Sequence, residues 1–543
     1  MQRLHLSSSV LFAAALLATP VVAGDPDVYP VGTAAIEGDS VAGVGLVTSI
    51  GNIVVNNNGD WLVEVDTDNA DTDADGALLD GGGLLQREGG ALAAPVGATL
   101  DSFDAVTLND NGSGGFNHFL DGTTGSTDDS GVYLDGALII QESDVSTAAG
   151  LSAGTPYRGF FEVKINDSDA LLIMASVDDP AIASTTDRAL VVATTAAGAL
   201  TGETVVAKEG DLLPGQTELV ADFETGPHNF AFNDAGQVMF IADLEGGTAV
   251  DHAVYIDGTL VAQEGFVSPV GGREWSSLSL AELDLNNNGD YILSGSLAGD
   301  AATNLLISVN GAKFVQEGDS MPAIPGFSLT SFGSGPVHIA DNGTKLWYGD
   351  WDDPDTSRDT GLFLNDQLVV QEGVTAIAGS TVLALRGIQD GYDLSEDGTW
   401  MIFEAALADG REGAFTIEIG PWTSRGNGLA GTGGVTPCLT GVGPLSVLSA
   451  NSLELHTAAP SALMAYVVGV SEVNVPFFGG TLVPAPDVVR LFGTNALGEL
   501  SLPYAVPATV FPGTPLIVQG WITDAGAFGG YSATNAIAGV VAP

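Results

Sequence analysis

Between residues 31 and 419 apolar and polar positions alternate in short runs, broken by clusters of Asn, Asp and Gly. Strict alternation over four to eight residues marks a half-buried strand, and the clusters mark tight turns. The clearest stretch follows Glu209. Phe230-Ala231-Phe232 alternates into Asn233-Asp234-Ala235-Gly236, and Gln237 to Ala242 leaves that turn as a second strand. Ala253-Val254-Tyr255-Ile256 predicts a third strand, Asp257-Gly258 a hairpin turn, and Thr259 to Gln263 a fourth.

This four-strand pattern repeats. Each copy ends in apolar residues followed by Glu-Gly or a close variant, with glutamates at Glu37, Glu88, Glu142, Glu209, Glu264, Glu317 and Glu372. A fixed period of about 55 residues with strands in each unit predicts a solenoid, a propeller or an array. First turns recur as Asn57-Asn58-Gly59, Asn109-Asp110-Asn111-Gly112, Asn287-Asn288-Gly289, Asp341-Asn342-Gly343 and Glu396-Asp397-Gly398. Asn, Asp and Gly suit such turns because they tolerate positive φ and bond their own backbone. The third unit departs from the plan, with Asn166-Asp167-Ser168-Asp169 at the first turn and an insertion-like Ala193 to Thr204 at the second.

Four antiparallel strands per unit make a propeller blade. The last unit stops at Ile419 without a fourth strand, while Thr33-Ala34-Ala35-Ile36 stands unattached at the start. The expectation is a seven-bladed β-propeller over 24–420, closed by the N-terminal strand so that no ring edge stays open. The topology puts the loops between second and third strands on one face with the inter-unit crossings, where binding usually resides.

Residues 421–436, rich in Gly, Pro and Thr, read as a linker. Beyond them, short apolar runs at 452–456, 463–468, 481–483, 488–492, 500–502, 516–522 and 537–541 predict a β-sandwich over 437–543. Gly479-Gly480-Thr481-Leu482-Val483, Gly498, Pro515 to Trp521, Asp524, Gly529 and Ser532-Ala533-Thr534-Asn535 resemble a C-terminal sandwich module of large exported proteins of Gram-negative environmental bacteria. The repeats resemble uncharacterised exported bacterial proteins with Asn-Asp-x-Gly and Glu-Gly-Asp-x-x-Pro-Gly units; Glu209 to Gly215 matches the second motif in full. Neither resemblance brings a catalytic residue.

Composition narrows the partners. Of 543 residues, 68 are Asp or Glu and 14 are Lys or Arg, for a formal charge of -54. Such a chain repels nucleic acid and anionic membranes, and favours cations or a basic or carbohydrate surface. Residues 1–23 read as a signal peptide: Arg3, an apolar core from Val10 to Val22, then Val21-Val22-Ala23 before Gly24. No later run is long enough for a membrane helix. The expected location is extracellular, on the cell surface or in the periplasm. The lone Cys438 reads as a buried small apolar residue.

The best metal candidate is Asp71-x-Asp73-x-Asp75-Gly76, where alternating carboxylates point oxygens at one Ca2+. Gly82 stands where an EF-hand needs Glu, so this would be a propeller-loop site. Asp284-x-Asn286-x-Asn288-Gly289 has similar spacing but carries the signature of an ordinary hairpin. The seven glutamates are expected to accept backbone N–H bonds at the crossings and pin the next blade. His118, His228, His252, His338 and His456 show no metal-ligand spacing, although His228 and His338 occupy similar places before first turns. There is no nucleophile elbow and no phosphate-binding loop.

The functional expectation is an exported acidic binding or scaffold protein, Ca2+-dependent, for an extracellular ligand. The alternatives are a polysaccharide-active lyase or hydrolase and a structural surface or matrix component. An acidic loop-built face distinguishes the first. A central pocket with converging Asp, His, Arg or Tyr distinguishes the second.

Overall fold

The computed structural model describes Tyr29 and residues 31–542 except 183–186, 389 and 444. The expected signal peptide, 1–23, lies outside the described residues. Among those residues every regular element longer than a single short turn is a strand, and the sheets are antiparallel.

Each repeat unit builds one sheet. In the fourth, Val220–Phe223 and Phe230–Phe232 both pair with Val238–Leu244, which pairs with His252–Ile256, which pairs with Thr259–Gln263. The second strand is buried on both faces, as its unbroken apolar run requires. Val238, Phe240 and Ala242 pack against the third unit's Leu172, Met174 and Leu190. Met239 and Ile241, on the opposite face, pack against the fifth unit's Leu283, Leu293 and Leu306. This period-2 division repeats from unit to unit. It ends where the seventh unit's Ile402 and Ala414 share a core with the first unit's Val47, Val55, Val63 and Val65.

The N-terminal strand, Val31–Ile36, pairs with Glu412–Glu418 in the last unit, in the register Val31↔Ile417 to Ile36↔Gly413. The strand matches the fourth-strand template, and this is the position the template requires. Ile36 joins a core with Val369, Phe403, Phe415 and Ile417, and Ala35 joins the one shared by the last and first units.

The motif glycine has a backbone reason. Gly373 sits at φ +68, and a Cβ there would lie 2.1 Å from the Ser357 carbonyl oxygen. The third unit has Ser143 at this place, also left-handed at φ 71. The insertion-like stretch of that unit is a lengthened hairpin. Asp187–Ala196 pairs with Ala199–Lys208 across a turn at Ala197 and Gly198, both at positive φ.

The linker reading of 421–436 is corrected. Trp422–Gly426 is a strand paired with Ala536–Val540, and Trp422 is buried against Leu439, Tyr466 and Ile537. Gly-rich composition signalled a flexible joint, but the tryptophan supplied enough apolar surface to anchor the segment. The C-terminal unit has two main sheets. One contains Trp422–Gly426, Leu463–Gly469, Val488–Gly493, Pro515–Thr523, Tyr531–Ala533 and Ala536–Val540. The other contains Cys438–Val442, Ala450–His456 and Leu500–Ala505, and the two sheets share one core. Cys438 is buried.

Candidate functional site

The first turns of the units join in a cycle of hydrogen bonds. Asn56, Asn109, Asn166, Asn233 and Asn286 each donate from Nδ2 to a backbone carbonyl one unit on, at Asn109, Asn166, Asn233, Asn286 and Ala340, over 2.8–3.3 Å. The next residue repeats the device in reverse polarity. The N–H groups of Asn57, Asp110, Asp167, Asp234 and Asn287 donate to side-chain oxygens of Asp110, Asp167, Asp234, Asn287 and Asp341, over 2.7–2.9 Å. Asp341 N–H donates to the Glu396 carbonyl, and Asp397 N–H returns the cycle to Asn57 Oδ1, each at 2.7 Å. The turn motif therefore bends the chain and also ties unit to unit.

This cycle crowds carboxylates. Burial and the neighbouring Asp234 charge push Glu396 up to about 9. Burial, with the charges of Asp167, Asp397 and Asp234, pushes Asp110 up to about 6. The Asn287 amide relieves the crowding by donating to Asp234, Asp341 and Glu396 at 2.9–3.1 Å.

Beside the turns, the first strands of all seven units line a central cavity of about 160 Å³. Glu162, Lys164, His228, Asp284, His338, Asp390, Asp393 and Glu396 reach its wall. Asp284 Oδ2 accepts from Ile339 N–H and Asp393 Oδ2 from Val55 N–H, both at 2.9 Å, so each carboxylate also fastens two adjacent units. His338 lies between them, with Nδ1 3.8 Å from Asp284 and 3.9 Å from Asp393. His228 stands edge-on to His338 with ring centroids 5.5 Å apart, and its Nε2 is 3.5 Å from Asp390.

The two imidazoles titrate in opposite directions. Burial lowers His228 to about 4, only partly offset by Asp390. Burial also works against protonated His338, but the Asp284 and Asp393 carboxylates outweigh it and raise that ring above its ordinary value. Burial raises Glu162 to about 8 despite Lys164 nearby. A cavity with two imidazoles pushed in opposite directions among carboxylates can hold a cationic group and can move a proton.

The sequence-derived candidates fall elsewhere. Asp71 and Asp73 are exposed and Asp75 is half-buried on a loop held by Asn69, whose Nδ2 donates to the Ala74 carbonyl. Asp71 Oδ1 faces Asp73 N–H at 3.5 Å. Among the described residues the group whose ligand atoms all lie within 4.8 Å of one another is Asp243, Asp251 and His252. The motif glutamates do accept hydrogen bonds, but mostly within their own sheet, which corrects the expectation that they pin the next unit. Glu88 accepts from Gly76 N–H, Glu209 from Arg188 N–H, and Glu317 from Asn304 and Leu305 N–H. Glu37 accepts from Glu412 N–H and Glu372 from the Thr360 hydroxyl. Glu264 does reach the next unit, accepting from Leu278 N–H at 2.6 Å. Glu142 is buried beside Asp129, and burial raises it to about 7. The reason is geometric: the glutamate follows the fourth strand and lies beside the opening of the third.

Solved structures resemble this chain only distantly. A glucose dehydrogenase shares 12% identity over 59% of this chain and 98% of its own, at a TM-score of 0.25. The Hadza microbial sialidase Hz136 shares 11% over 68% and 66%, at 0.27. A fungal alcohol oxidase of the AA5 family, solved with copper, shares 11% over 92% and 100%, at 0.26. Likeness at this level carries no functional argument; the all-β, propeller-like character rests on the chain's own sheets. A search of curated proteins finds no match. One family matches residues 25–259 and again 197–416, the overlap expected of a repeat, and the chain belongs to it: the Family of unknown function (DUF7453).

Proposed function

We propose that this chain is an exported acidic binding protein. In this reading residues 31–419 form a seven-bladed β-propeller closed by the N-terminal strand, followed by a C-terminal β-sandwich. The ligand is a small cationic group held in the central cavity. The supporting observation is the convergence of carboxylates on this space, where Asp284 and Asp390, beside His338 and His228, are held below the ordinary carboxylate value and Lys164 is the one lysine or arginine among the described lining residues. Ligand pockets for drug-sized molecules run to about 300–1,000 Å³, so a cavity of about 160 Å³ selects an ion, an amine or one end of a longer ligand. The cycle of first-turn bonds and the core joining last and first units support the closed ring.

The acidic loops were the expected binding surface; the cavity is the better-built one. A second reading, acid–base chemistry on a polysaccharide, is favoured by the His228–His338 pair with its opposed titration. Calorimetry against a diamine, an amino sugar and Ca2+ tests the binding reading. Binding of a cationic member, weakened at least tenfold by Asp390→Asn, is the expected result. No heat with any of the three refutes the binding reading. Turnover of an acidic or amino polysaccharide, lost in His228→Ala, would favour the second.

A further inference from the structure

A second polar cluster lies outside the central cavity, in the fourth unit. There four of the five strands of one sheet, or the residues flanking them, deliver side chains to His252. Glu224 follows the edge strand Val220–Phe223. Asp243 is near the end of the second, Val238–Leu244, and is the direct cross-strand partner of His252. Asp251 immediately precedes His252, which opens the third strand, and Glu264 follows the fourth, Thr259–Gln263.

The distances sort these carboxylates into two groups. On one side of the ring, Nε2 is 3.0 Å from Glu224 Oε1. On the other, Nδ1 is 3.2 Å from Asp251 Oδ1 and 3.4 Å from Glu264 Oε2. Ligand atoms of Asp243, Asp251 and His252 all lie within 4.8 Å of one another. Around a tetrahedral ion with bonds of about 2.0–2.2 Å, neighbouring ligand atoms are roughly 3.3–3.6 Å apart. Asp251 and Glu264 stand from Nδ1 at nearly that spacing, and Asp243 lies within 4.8 Å of Asp251 and the ring, so an ion there would replace the Nδ1 proton and draw Asp243 in.

We propose that this cluster is a site for a divalent metal ion of the Zn2+ kind, with His252, Asp243 and Asp251 as ligands, Glu264 poised beside them and Glu224 as the orienting carboxylate. Three features fit. Metal-bound imidazoles characteristically donate the other ring N–H to a carboxylate, and Glu224 stands at that nitrogen. Glu264 is aimed by its second oxygen: Oε1 is fixed by Leu278 N–H at 2.6 Å, which leaves Oε2 facing the ring. The donor set is one imidazole with carboxylates and no thiolate, which suits Zn2+ or Mn2+ better than an all-oxygen Ca2+ site.

The repeat supplies an internal control. The motif glutamates of other units lie against Gly76, Arg188, Leu305, Thr360 and Glu412 at the opening of the third strand. In the fourth unit that place is held by His252, so one unit of the array has been given a nitrogen ligand.

The test uses the full chain, stripped with a chelator and titrated with Zn2+ alone by calorimetry, with Co2+ as a visible-light probe. One ion per chain is expected. His252→Gln and Asp251→Asn should each weaken binding at least tenfold and alter or remove the Co2+ bands. Glu224→Gln should weaken it by about 10–100-fold with the stoichiometry kept, as for an orienting residue. His338→Gln, in the central cavity, should leave the Zn2+ affinity and Co2+ bands of this cluster unchanged, which separates this site from the proposed binding cavity. Should His252→Gln not fold, Asp251→Asn decides. Absence of Zn2+ binding in the wild type, equal binding in the folded ligand variants, or loss with His338→Gln would overturn the site.

Discussion

Replacing Ile36 by Ala tests whether the N-terminal strand holds the repeat array together. Ile36 is 7% exposed and packs among Val369, Phe403, Phe415 and Ile417, residues distant in sequence that belong to the sixth and seventh units. Truncating a buried Ile to Ala costs about 2–5 kcal/mol, with the upper end reached where the surroundings cannot collapse. Here the strand is tied on both sides of the side chain, by the Val31–Ile36 ladder and by Glu37 N–H donating to the Glu412 carbonyl at 2.8 Å. Collapse is therefore restricted, and the expected loss lies above about 3 kcal/mol. That is a large part of the ~5–15 kcal/mol that holds a typical domain together. Thermal shifts are compressed in long chains, below about 2–4 °C per kcal/mol, so urea midpoints are the better measure. Leu280→Ala, at a side chain 85% exposed, is the control and should stay within about 0.5 kcal/mol. Hydrogen exchange adds locality: amides from Gly413 to Ile417 should lose protection before those of the third unit. A midpoint unchanged from wild type, or exchange at 413–417 that is fast in both proteins, refutes the closure argument.

Four other outcomes follow from the same geometry. Gly373→Ala must place a Cβ 2.1 Å from the Ser357 carbonyl at φ +68, and should destabilise by at least about 1–2 kcal/mol in urea unfolding. Burial and Asp234 raise Glu396 from 4.5 to about 9, so the fold prefers its protonated form. That stability is fully present below pH 4.5 and declines as pH rises from there through about 9; Glu396→Gln should flatten this decline in melting temperature. The fragment 421–543 should melt cooperatively, while 437–543, without the 3%-exposed Trp422, should lose at least about 3 kcal/mol or fail to fold. Ca2+ at the exposed Asp71, Asp73 and Asp75 loop should bind weakly, at about 10⁻⁴–10⁻³ M, with calorimetric heat lost in Asp73→Ala.

The sequence made the fold legible because period-2 alternation and turn chemistry act locally. Phe230-Ala231-Phe232 before Asn233 to Gly236 is strand and turn in any reading, and the unpaired Thr33 to Ile36 matched the strand missing after Ile419. The failures came where composition stood in for packing. A Gly-rich stretch hid Trp422, whose burial depends on Tyr466 and Ile537, far along the chain. Asp71, Asp73 and Asp75 are a different case: their spacing suggests a metal, but spacing along an exposed loop does not by itself fix where side-chain oxygens point, and the Ca2+ titration decides it.

The central cavity was hidden for a different reason. Its chemistry belongs to no single unit. The residue two places before each first-turn bend is Val54, Thr107, Lys164, Ala231, Asp284, His338 and Asp393 in turn, and every one of them lines the cavity. Within a unit such a residue is merely a polar or small position on an alternating strand, and Asp284 read as part of a hairpin. Down the column of repeats the pattern changes: charge and imidazole gather in the third, fifth, sixth and seventh units, while the first, second and fourth supply Val54, Thr107 and Ala231. A structural repeat needs only that this position tolerate a place on the cavity wall. Four ionisable side chains there, two of them also clamping neighbouring units through Ile339 and Val55, exceed that need and accept the desolvation cost of buried charge. A scaffold with no central ligand would be more stable with residues like Val54 throughout. The departure from the repeat, rather than the repeat itself, is what directs attention to the cavity.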